Sequence, residues 1–443
     1  MATINKSRKR VLLLNPPGNQ MYLRDYYCST VSKAGYYWHP VDLLVQSGIL
    51  HPEFEVKFID AIAEKISPQK CLKIIIDIHP DDILFLSGTQ SWASDFAFLK
   101  KVKAATGACL VGSGEIFLSG GAEILHSQPF LNGAILDFTN SDFRFFLEGK
   151  YELIEKMIFK IGTEVIIKKS PKSVREFAFP YPRHHLFVSP NYCIPFVPRP
   201  FATVLTDYGC PYSCSFCSSG SLGYKTRNID NAIEEIHDLA NSGIKSIFVK
   251  NMTFAADRSR ALEFCQKIID HNIKIIWNCY SRTDLIDEDL LQIMKAAGCR
   301  LIQFGVESVD EELLRSVGKC IPLGITLKTF DLCKRNNILT GAHFILGFPG
   351  ADIDNFQNTI NFIKRLEPSY ISINIFSPRH GAKLMNNEAQ DNRKLTQLQN
   401  QLYRNYYLNF DYLSGRLFST KGISELFDSI KMGALLTKSI LTG

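Results

Sequence analysis

The sequence predicts an α/β protein: an N-terminal doubly wound, Rossmann-like domain, then a partial (β/α)6 barrel of the TIM type, then a helical C-terminal segment. Three observations carry this. Short apolar runs alternate with stretches of helical period from residue 11 to about residue 149. The same alternation resumes from 201 and continues to about 381. Between them, residues 171–200 hold seven prolines and little periodicity, which predicts an extended linker. The expected boundaries are therefore 1–165, a linker at 166–200, a barrel at 201–381 and a helical tail at 382–443.

In the first region RVLLLNPPG (10–18), EVKFIDA (55–61), DILFLSGTQSW (82–92), ACLVGSG (108–114) and AILDF (134–138) read as strands of a parallel sheet covered on both faces. Ligands of open parallel sheets sit beyond the carboxyl ends of the strands, so the loops NPPGNQ, SGTQSW and GSGEIF are expected to share one functional edge. In the second region the strands are FATVLTDYG (201–209), IKSIFVKN (244–251), IKIIWNCYS (273–281), LIQFGVES (301–308), GAHFILGF (341–348) and SYISINIF (369–376). Helices lie between them, for example 228–241 with Ile229, Ile233, Ile236 and Ala240, and 353–366 with Ile353, Phe356, Ile360 and Ile363. Six such units fit an incomplete barrel, whose chemistry collects at the carboxyl ends of its strands. The aromatic stripe QLYRNYYLNFDYL (401–413) is expected to pack against the barrel.

Composition narrows the function classes. A chain of 443 residues with 46% hydrophobic and 21% charged residues reads as a globular enzyme. No apolar run reaches the length of a bilayer span, and the basic start is followed by too short an apolar run for a secretory signal, so a cytoplasmic location is expected. The net charge of +6 is dispersed, which predicts no nucleic-acid partner. Nine of the twelve cysteines are scattered and read as small buried apolar residues.

The other three, Cys210, Cys214 and Cys217, lie in DYGCPYSCSFCSSG with C-x3-C-x2-C spacing, directly after the first barrel strand. Thiolate is a soft ligand suited to zinc, copper(I) or iron–sulfur clusters. A structural zinc site takes four ligands, whereas three thiolates on a [4Fe-4S] cube leave one iron open. Both an iron–sulfur enzyme and a zinc-stabilised scaffold follow from the spacing alone. Barrel strands turn apolar side chains outward, so Ser372 and Asn374 are expected to face inward from SYISINIF, with Lys250 and His343 also lining the interior. Lys250, His343 and Asn374 are the expected substrate-contacting, catalytic candidates.

The cysteine spacing, with Phe216 just before the third cysteine, resembles the radical S-adenosylmethionine enzymes, and so do residues 277–308, ILGFPG (345–350) and SPRHG (377–381). The resemblance implies that Cys210, Cys214 and Cys217 hold a [4Fe-4S] cluster whose open iron binds S-adenosylmethionine, and that an electron cleaves this to a 5'-deoxyadenosyl radical. It also implies that Phe216 lies beside the adenine, that Arg282, Glu307 and Ser308 contact the methionyl or ribose parts, and that Gly347 shapes the turn after the fifth strand. The family often carries an acidic residue after the second strand, where this chain has KNMTF.

The layout of the whole chain resembles the class of that family with an N-terminal cobalamin-binding domain. By that resemblance cobalamin would sit over the carboxyl edge of the first sheet, contacted by Gly88, Thr89, Gln90 and Ser91, with Trp92 over a corrin face. The motif D-x-H-x-x-G that supplies a lower-ligand histidine is missing, as it generally is in the class. Two loops depart from the class: VGSGEIF (111–117) replaces a paired-glycine and histidine loop, and FTNSD (138–142) replaces G-E-G-E. Glycines let backbone approach a planar ring, so these replacements crowd the edge. The expected function is radical hydrogen abstraction from a small molecule, with cobalamin-dependent methyl transfer to an unactivated carbon. The alternative is a cobalamin-independent dehydration, rearrangement or redox step. Flavodoxin or ferredoxin is the electron donor implied by the resemblance.

Overall fold

The computed structural model describes residues 8–32, 36–170, 174–351, 356–379, 381–384, 392–409 and 412. They form two compact units, Met1–Ser32 with Tyr37–Cys193, and Lys33–Tyr36 with Ile194–Gly443.

The first unit runs β1 (Arg10–Asn15), α1 (Val41–Leu50), β2 (Glu55–Asp60), α2 (Pro68–Ile78), β3 (Asp82–Leu86), α3 (Trp92–Thr106), β4 (Cys109–Ser113), α4 (Glu115–Ser127), β5 (Gly133–Ile135), α5 (Asp142–Glu148), β6 (Lys156–Ile161) and β7 (Glu164–Lys169). Its sheet has the order β2-β1-β3-β4-β5-β6-β7, parallel through β5 and antiparallel beyond. The parallel part is a doubly wound order with its switch point between β1 and β3. Strand β1 is apolar on both sides because both are covered: Leu12 and Leu14 pack with Cys71, Ile75, Leu99 and Val102 of α2 and α3, while Val11 and Leu13 are equally buried. The strand pair β6 and β7 was not anticipated, and β7 crosses the expected start of the linker at 166. Much of the proline-rich stretch also departs from an extended spacer. Phe187 stacks on Phe58 at 3.8 Å between ring centres, and the Tyr192 hydroxyl donates to Asp60 at 3.0 Å. Buried aromatic anchors outweigh the extended preference of the prolines.

A short hairpin, Tyr22–Asp25 with Cys28–Val31, follows β1. From it the buried Arg24 reaches the carboxyl ends of the sheet. Its guanidinium pairs with Asp95 at 2.6 Å and donates to Ser91 Oγ at 2.9 Å, Asn15 Oδ1 at 2.8 Å and the Pro16 carbonyl at 2.9 Å. Asp95 also accepts from the hydroxyls of Ser87 and Ser91. Asn15 passes the network on to Tyr37 and Asp60. Burial lifts the Asp95 carboxyl to about 6 despite the adjacent Arg24 charge.

The second unit runs β8 (Phe201–Leu205), α6 (Ile229–Asn241), β9 (Ser246–Lys250), α7 (Arg258–Asp270), β10 (Ile276–Ser281), α8 (Glu288–Ala296), β11 (Cys299–Glu307), α9 (Glu311–Ser316), α10 (Leu323–Arg335), β12 (Leu339–Leu346), α11 (Phe356–Leu366), β13 (Tyr370–Ile375) and α12 (Asn392–Tyr407). Strands β8 to β13 pair in sequence order, all parallel. Ile247, Val249, Trp277, Cys279, Ile302, Phe304, Ala342, Phe344, Ile371 and Ile373 point outward into one core with the helices. The expected first strand 201–209 is split: after Leu205 the chain turns, and Asp207–Gly209 pairs antiparallel with Tyr224–Arg227. Helix α6 starts where Asn228 accepts from the Asn231 amide, an N-cap bond. Ile353, assigned to the helix before the sixth strand, lies outside the described residues, as does the whole tail after 412.

The aromatic stripe does pack on the barrel, and it does more. Strand β13 is the last of its sheet, so its outer backbone groups lack a strand partner. The Tyr407 hydroxyl accepts from the Ile371 amide and donates to its carbonyl, at 3.0 and 2.9 Å. Tyr403 does the same at Ile373, at 2.9 and 3.1 Å, and Gln399 donates to the Ile373 carbonyl at 2.6 Å.

Arg24→Ala should destabilise the chain by about 3–5 kcal/mol, because it leaves Asp95 buried and unpaired. Denaturant titration of the full-length protein reads this, and a loss below about 1 kcal/mol would contradict the role given to the pair.

Candidate functional site

The cysteine loop is closed at its base by backbone. Gly209 adopts φ +75°, and a Cβ there would lie 1.5 Å from the Gly223 carbonyl oxygen, so only glycine allows the two strands of the small hairpin to meet this closely. Cys210, Cys214 and Cys217 are half-buried and free. The loop is pinned from outside by the segment after α9: the Ser215 amide donates to the Val317 carbonyl at 2.9 Å, and Cys214 Sγ lies 3.8 Å from the Gly318 carbonyl. Cys217 Sγ accepts from the Ser219 amide at 3.4 Å, and Cys210 Sγ is 3.6 Å from the Thr253 hydroxyl. Among the described residues no three His, Cys, Asp or Glu side chains gather closely enough for a single metal ion. A cubane takes each thiolate on a different iron, so its ligands need not converge on one point. Three accessible thiols on one braced loop fit such a cluster.

Positive charge borders this loop. Arg282, just after β10, lies over the Tyr212 ring at 4.0 Å and is held by both Asp284 oxygens at 3.0 and 2.7 Å. Lys319 is buried and pairs with Glu307 at 2.7 Å. Glu307 ends β11 at φ +67°, where the register with β12 shifts between Gly305 and Glu307. Such bulges re-aim side chains beside active sites. Burial pushes the Cys214 thiol up, and Lys319 is the strongest influence opposing it.

Around the carboxyl ends of β11 and β12 lies a cleft lined by Ser308, Asp310, Leu313, Ile345 and Gly347, and by Phe356, Thr359 and Leu395 of α11 and α12. Ser308 Oγ accepts from the Asp310 amide at 3.1 Å, and Gly347 turns the chain at φ +78°. Phe216 does not line it; it packs edge-on against Phe348 at 5.2 Å, in a cluster with Leu313 and Val317.

Inside the barrel the inward side chains form rows. Tyr280, Gln303, Gly341 and Tyr370 are in register across four strands, with the Tyr370 ring occupying the space above Gly341. The next row toward the carboxyl end holds Gly305, His343 and Ser372. His343 lies between the Tyr280 and Tyr370 rings, at 5.8 and 6.0 Å, and its buried Nε2 has no hydrogen-bond partner among the described residues. Burial, with the Lys319 charge nearby, lowers its imidazole to about 4, so it is neutral near pH 7. Lys250 is buried over Phe248 and Tyr280, at 5.2 and 5.8 Å from the ring centres. Asn374 follows Ser372 on the same side of β13 and is exposed.

At the edge of the first sheet the loop 87–92 is largely engaged with its own unit. Ser91, expected as a free hydrogen-bonding group, instead accepts from Arg24 and donates to Asp95. Gly88 is covered: a Cβ there would meet Ser29 Cβ at 2.4 Å and both Glu115 oxygens at 2.9 Å. The Thr89 amide donates to Glu115 at 2.8 Å. Among the described residues the buried hydroxyls of Thr89 and Ser29 find no partner, Gln90 is exposed, and Trp92 presents about half of its surface to solvent beside Phe96. Two orphaned hydroxyls, an exposed amide and an indole face fit the amide-fringed, planar periphery of a corrin.

Residues 204–363 match the radical SAM superfamily. The second unit thus carries a radical SAM domain. Over 98% of its length it is 25% identical to an uncharacterized methyltransferase of Pyrococcus horikoshii, spanning 94% of that protein. Its fold is similar to a radical S-adenosylmethionine methyltransferase, TsrM, from Kitasatospora setae, solved with cobalamin and a [4Fe-4S] cluster (TM-score 0.66, 17% identity, 85% of this chain and 74% of that one). It is also similar to OxsB, a cobalamin-dependent S-adenosylmethionine radical enzyme solved with aqua-cobalamin and S-adenosylmethionine (TM-score 0.68, 14% identity, 98% and 72%). This radical SAM enzyme therefore works with a [4Fe-4S] cluster and S-adenosylmethionine. Among the described residues no helix is long and apolar enough to cross a membrane.

Sequence reasoning missed Thr253, Tyr212, Asp284 and Lys319 around the radical SAM site. Thr253 sits in KNMTF, where no acidic or metal-ligating side chain marks its hydroxyl in the sequence. Lys319 carries no pattern of its own and becomes visible only once β11 and the segment after α9 meet.

The neutral His343 has a pH consequence. Its folded value near 4 lies below the value of about 6.5 in an unfolded chain, so between these the unfolded state binds more protons. The contribution of His343 to stability should therefore fall as pH drops from about 6.5 to 4. In His343→Phe this part of the acid limb should flatten, as read by thermal melts across that window; an unchanged limb would contradict the assigned protonation state.

Proposed function

We propose that the chain is a cobalamin-dependent radical SAM methyltransferase acting on a small molecule, with Cys210, Cys214 and Cys217 as the ligands of its cluster. The observation that carries the first half is the braced loop of three free thiols at the carboxyl end of the first barrel strand, bordered by Arg282 and Lys319. Support for the second half is the likeness in fold across both units to enzymes solved with cobalamin, together with the orphaned hydroxyls at the first sheet's edge.

When bound, the cluster supplies the electron that cleaves S-adenosylmethionine to a 5'-deoxyadenosyl radical. When bound, cobalamin supplies a methyl carrier. The residues of this chain bind and orient. Arg282, fixed by Tyr212 and Asp284, offers a preset cation to the carboxylate of S-adenosylmethionine. Glu307 offers the matching anion to its amino group. Ser308 and Gly347 line the cleft that takes its nucleoside part, and Phe216 supports that cleft from behind Phe348. In the barrel, neutral His343 and buried Lys250, with Asn374 nearer solvent, are the polar contacts for substrate. The aromatic row beneath them excludes water from a reactive radical. In the first unit Thr89, Gln90 and Trp92 would hold the corrin, with Gly88 and Ser91 shaping the loop. A flavodoxin or ferredoxin is the proposed electron donor.

A second reading, a cobalamin-independent radical step, is favoured by the cover that Ser29, Glu115 and the Arg24 network place over the first sheet's edge. The two readings give different products. In anaerobic turnover, methyl transfer yields S-adenosylhomocysteine together with 5'-deoxyadenosine, and the purified enzyme shows a corrin band. The second reading yields 5'-deoxyadenosine alone. Serine at any of the three cysteines should lower iron content and abolish 5'-deoxyadenosine formation; retained formation would overturn the ligand assignment.

A further inference from the structure

We propose that Lys319 is a positioning residue that sets the reduction potential of the cluster at the cysteine loop, and that Gly305 exists to make room for it. The proposal rests on the reading of that loop as the cluster site.

Lys319 belongs to neither the cysteine motif nor a barrel strand. It arrives through the short segment that braces the loop. Val317 accepts from the Ser215 amide and Gly318 lies against Cys214, so the next side chain is delivered beside the same cysteine. Gly318 itself turns at φ +74° with its Cβ position 3.8 Å from Cys214 Cα. The Lys319 ammonium then enters the barrel mouth, where only 6% of the residue is exposed.

The room it occupies is the space a side chain at 305 would fill. A Cβ on Gly305 would lie 2.2 Å from Glu307 Oε1 and 2.6 Å from Lys319 Nζ. Gly305 has no left-handed backbone to explain its presence, so the missing side chain is what matters there. Across the sheet Gly305 is in register with His343, whose ring feels the Lys319 charge.

A buried ion pair adds little to folding stability, because desolvating both charges offsets their attraction. Glu307 is moreover held in left-handed backbone after a bulge, which is itself unfavourable for a side-chain-bearing residue. Two unfavourable features at one point, beside the loop, are accounted for if the charge acts on the cluster. Of the two partners, Lys319 is the one tied to the loop: it leaves the main chain directly after Gly318, whose carbonyl lies 3.8 Å from Cys214 Sγ. A fixed cation in a water-poor site stabilises the added electron of the reduced cluster.

The test is a redox titration, followed by electron paramagnetic resonance, of the anaerobically reconstituted full chain. Lys319→Met should move the midpoint to more negative potential while iron and sulfide content stay at the unmodified level. A tenfold fall in the ratio of reduced to oxidised cluster is about 59 mV for one electron. Lys319→Arg keeps the charge and should restore the midpoint. Gly305→Ala keeps both charges but displaces them, and should shift the midpoint in the same direction as Lys319→Met. It also decides the question if Lys319→Met fails to fold. An unchanged midpoint in either of these shifted variants, with the cluster assembled, would overturn the proposal. If the unmodified enzyme takes up no iron and sulfide, the cysteine-loop reading fails first and this one with it.

Discussion

A parallel barrel strand has two sides with opposite obligations, and that constraint organises the catalytic unit. The outer side must be apolar to pack against the returning helices, as Ile247, Cys279, Ile302, Phe344 and Ile373 do. The inner side is released from that demand. It can therefore carry Lys250, Asn278, Gln303 and His343 in a space ringed by aromatic side chains without weakening the outer core. Parallel pairing also aligns every strand's carboxyl end at one rim, which is where the cysteine loop, Arg282 and Glu307 emerge from β8, β10 and β11. The site is assembled from distant sequence because register, not proximity along the chain, decides what meets.

The same logic acts differently in the first unit. There the sheet is open and covered on both faces, and its carboxyl edge carries the polar groups. Arg24 satisfies four acceptors there, which lets carboxyl, amide and hydroxyl groups from β1, β3 and α3 be buried together. A network of this kind is unforgiving, since removing its cation leaves Asp95 without its countercharge and takes a donor from Asn15, Ser91 and the Pro16 carbonyl at once.

The order and type of the strands were legible because both alternations, apolar against helical and inward against outward, are local properties of the chain. The cysteine loop was legible because its spacing is short. Arg282 and Glu307 stand out only through their place at strand ends. Lys319 was not legible: its partner is twelve residues away in sequence, and the neighbouring Gly318 meets the cysteine loop across about a hundred. Ser91 misled for a related reason. It looks like a free hydroxyl in a loop, yet it accepts from Arg24, brought over by a hairpin of no particular pattern, and donates to Asp95. The strand pair β6 and β7 was overlooked because the prolines that follow drew the boundary too early.

The tyrosines of α12 have a consequence for how this unit behaves among other chains. A six-stranded barrel that stops short of closure leaves a rim of backbone able to recruit any passing extended peptide. Here the phenol oxygens of Tyr403 and Tyr407 each act as donor and acceptor at once, imitating the amide and carbonyl of a seventh strand without supplying one. The helix thus works as a selvedge: it finishes the fabric so that the weave neither frays nor stitches itself to a neighbour.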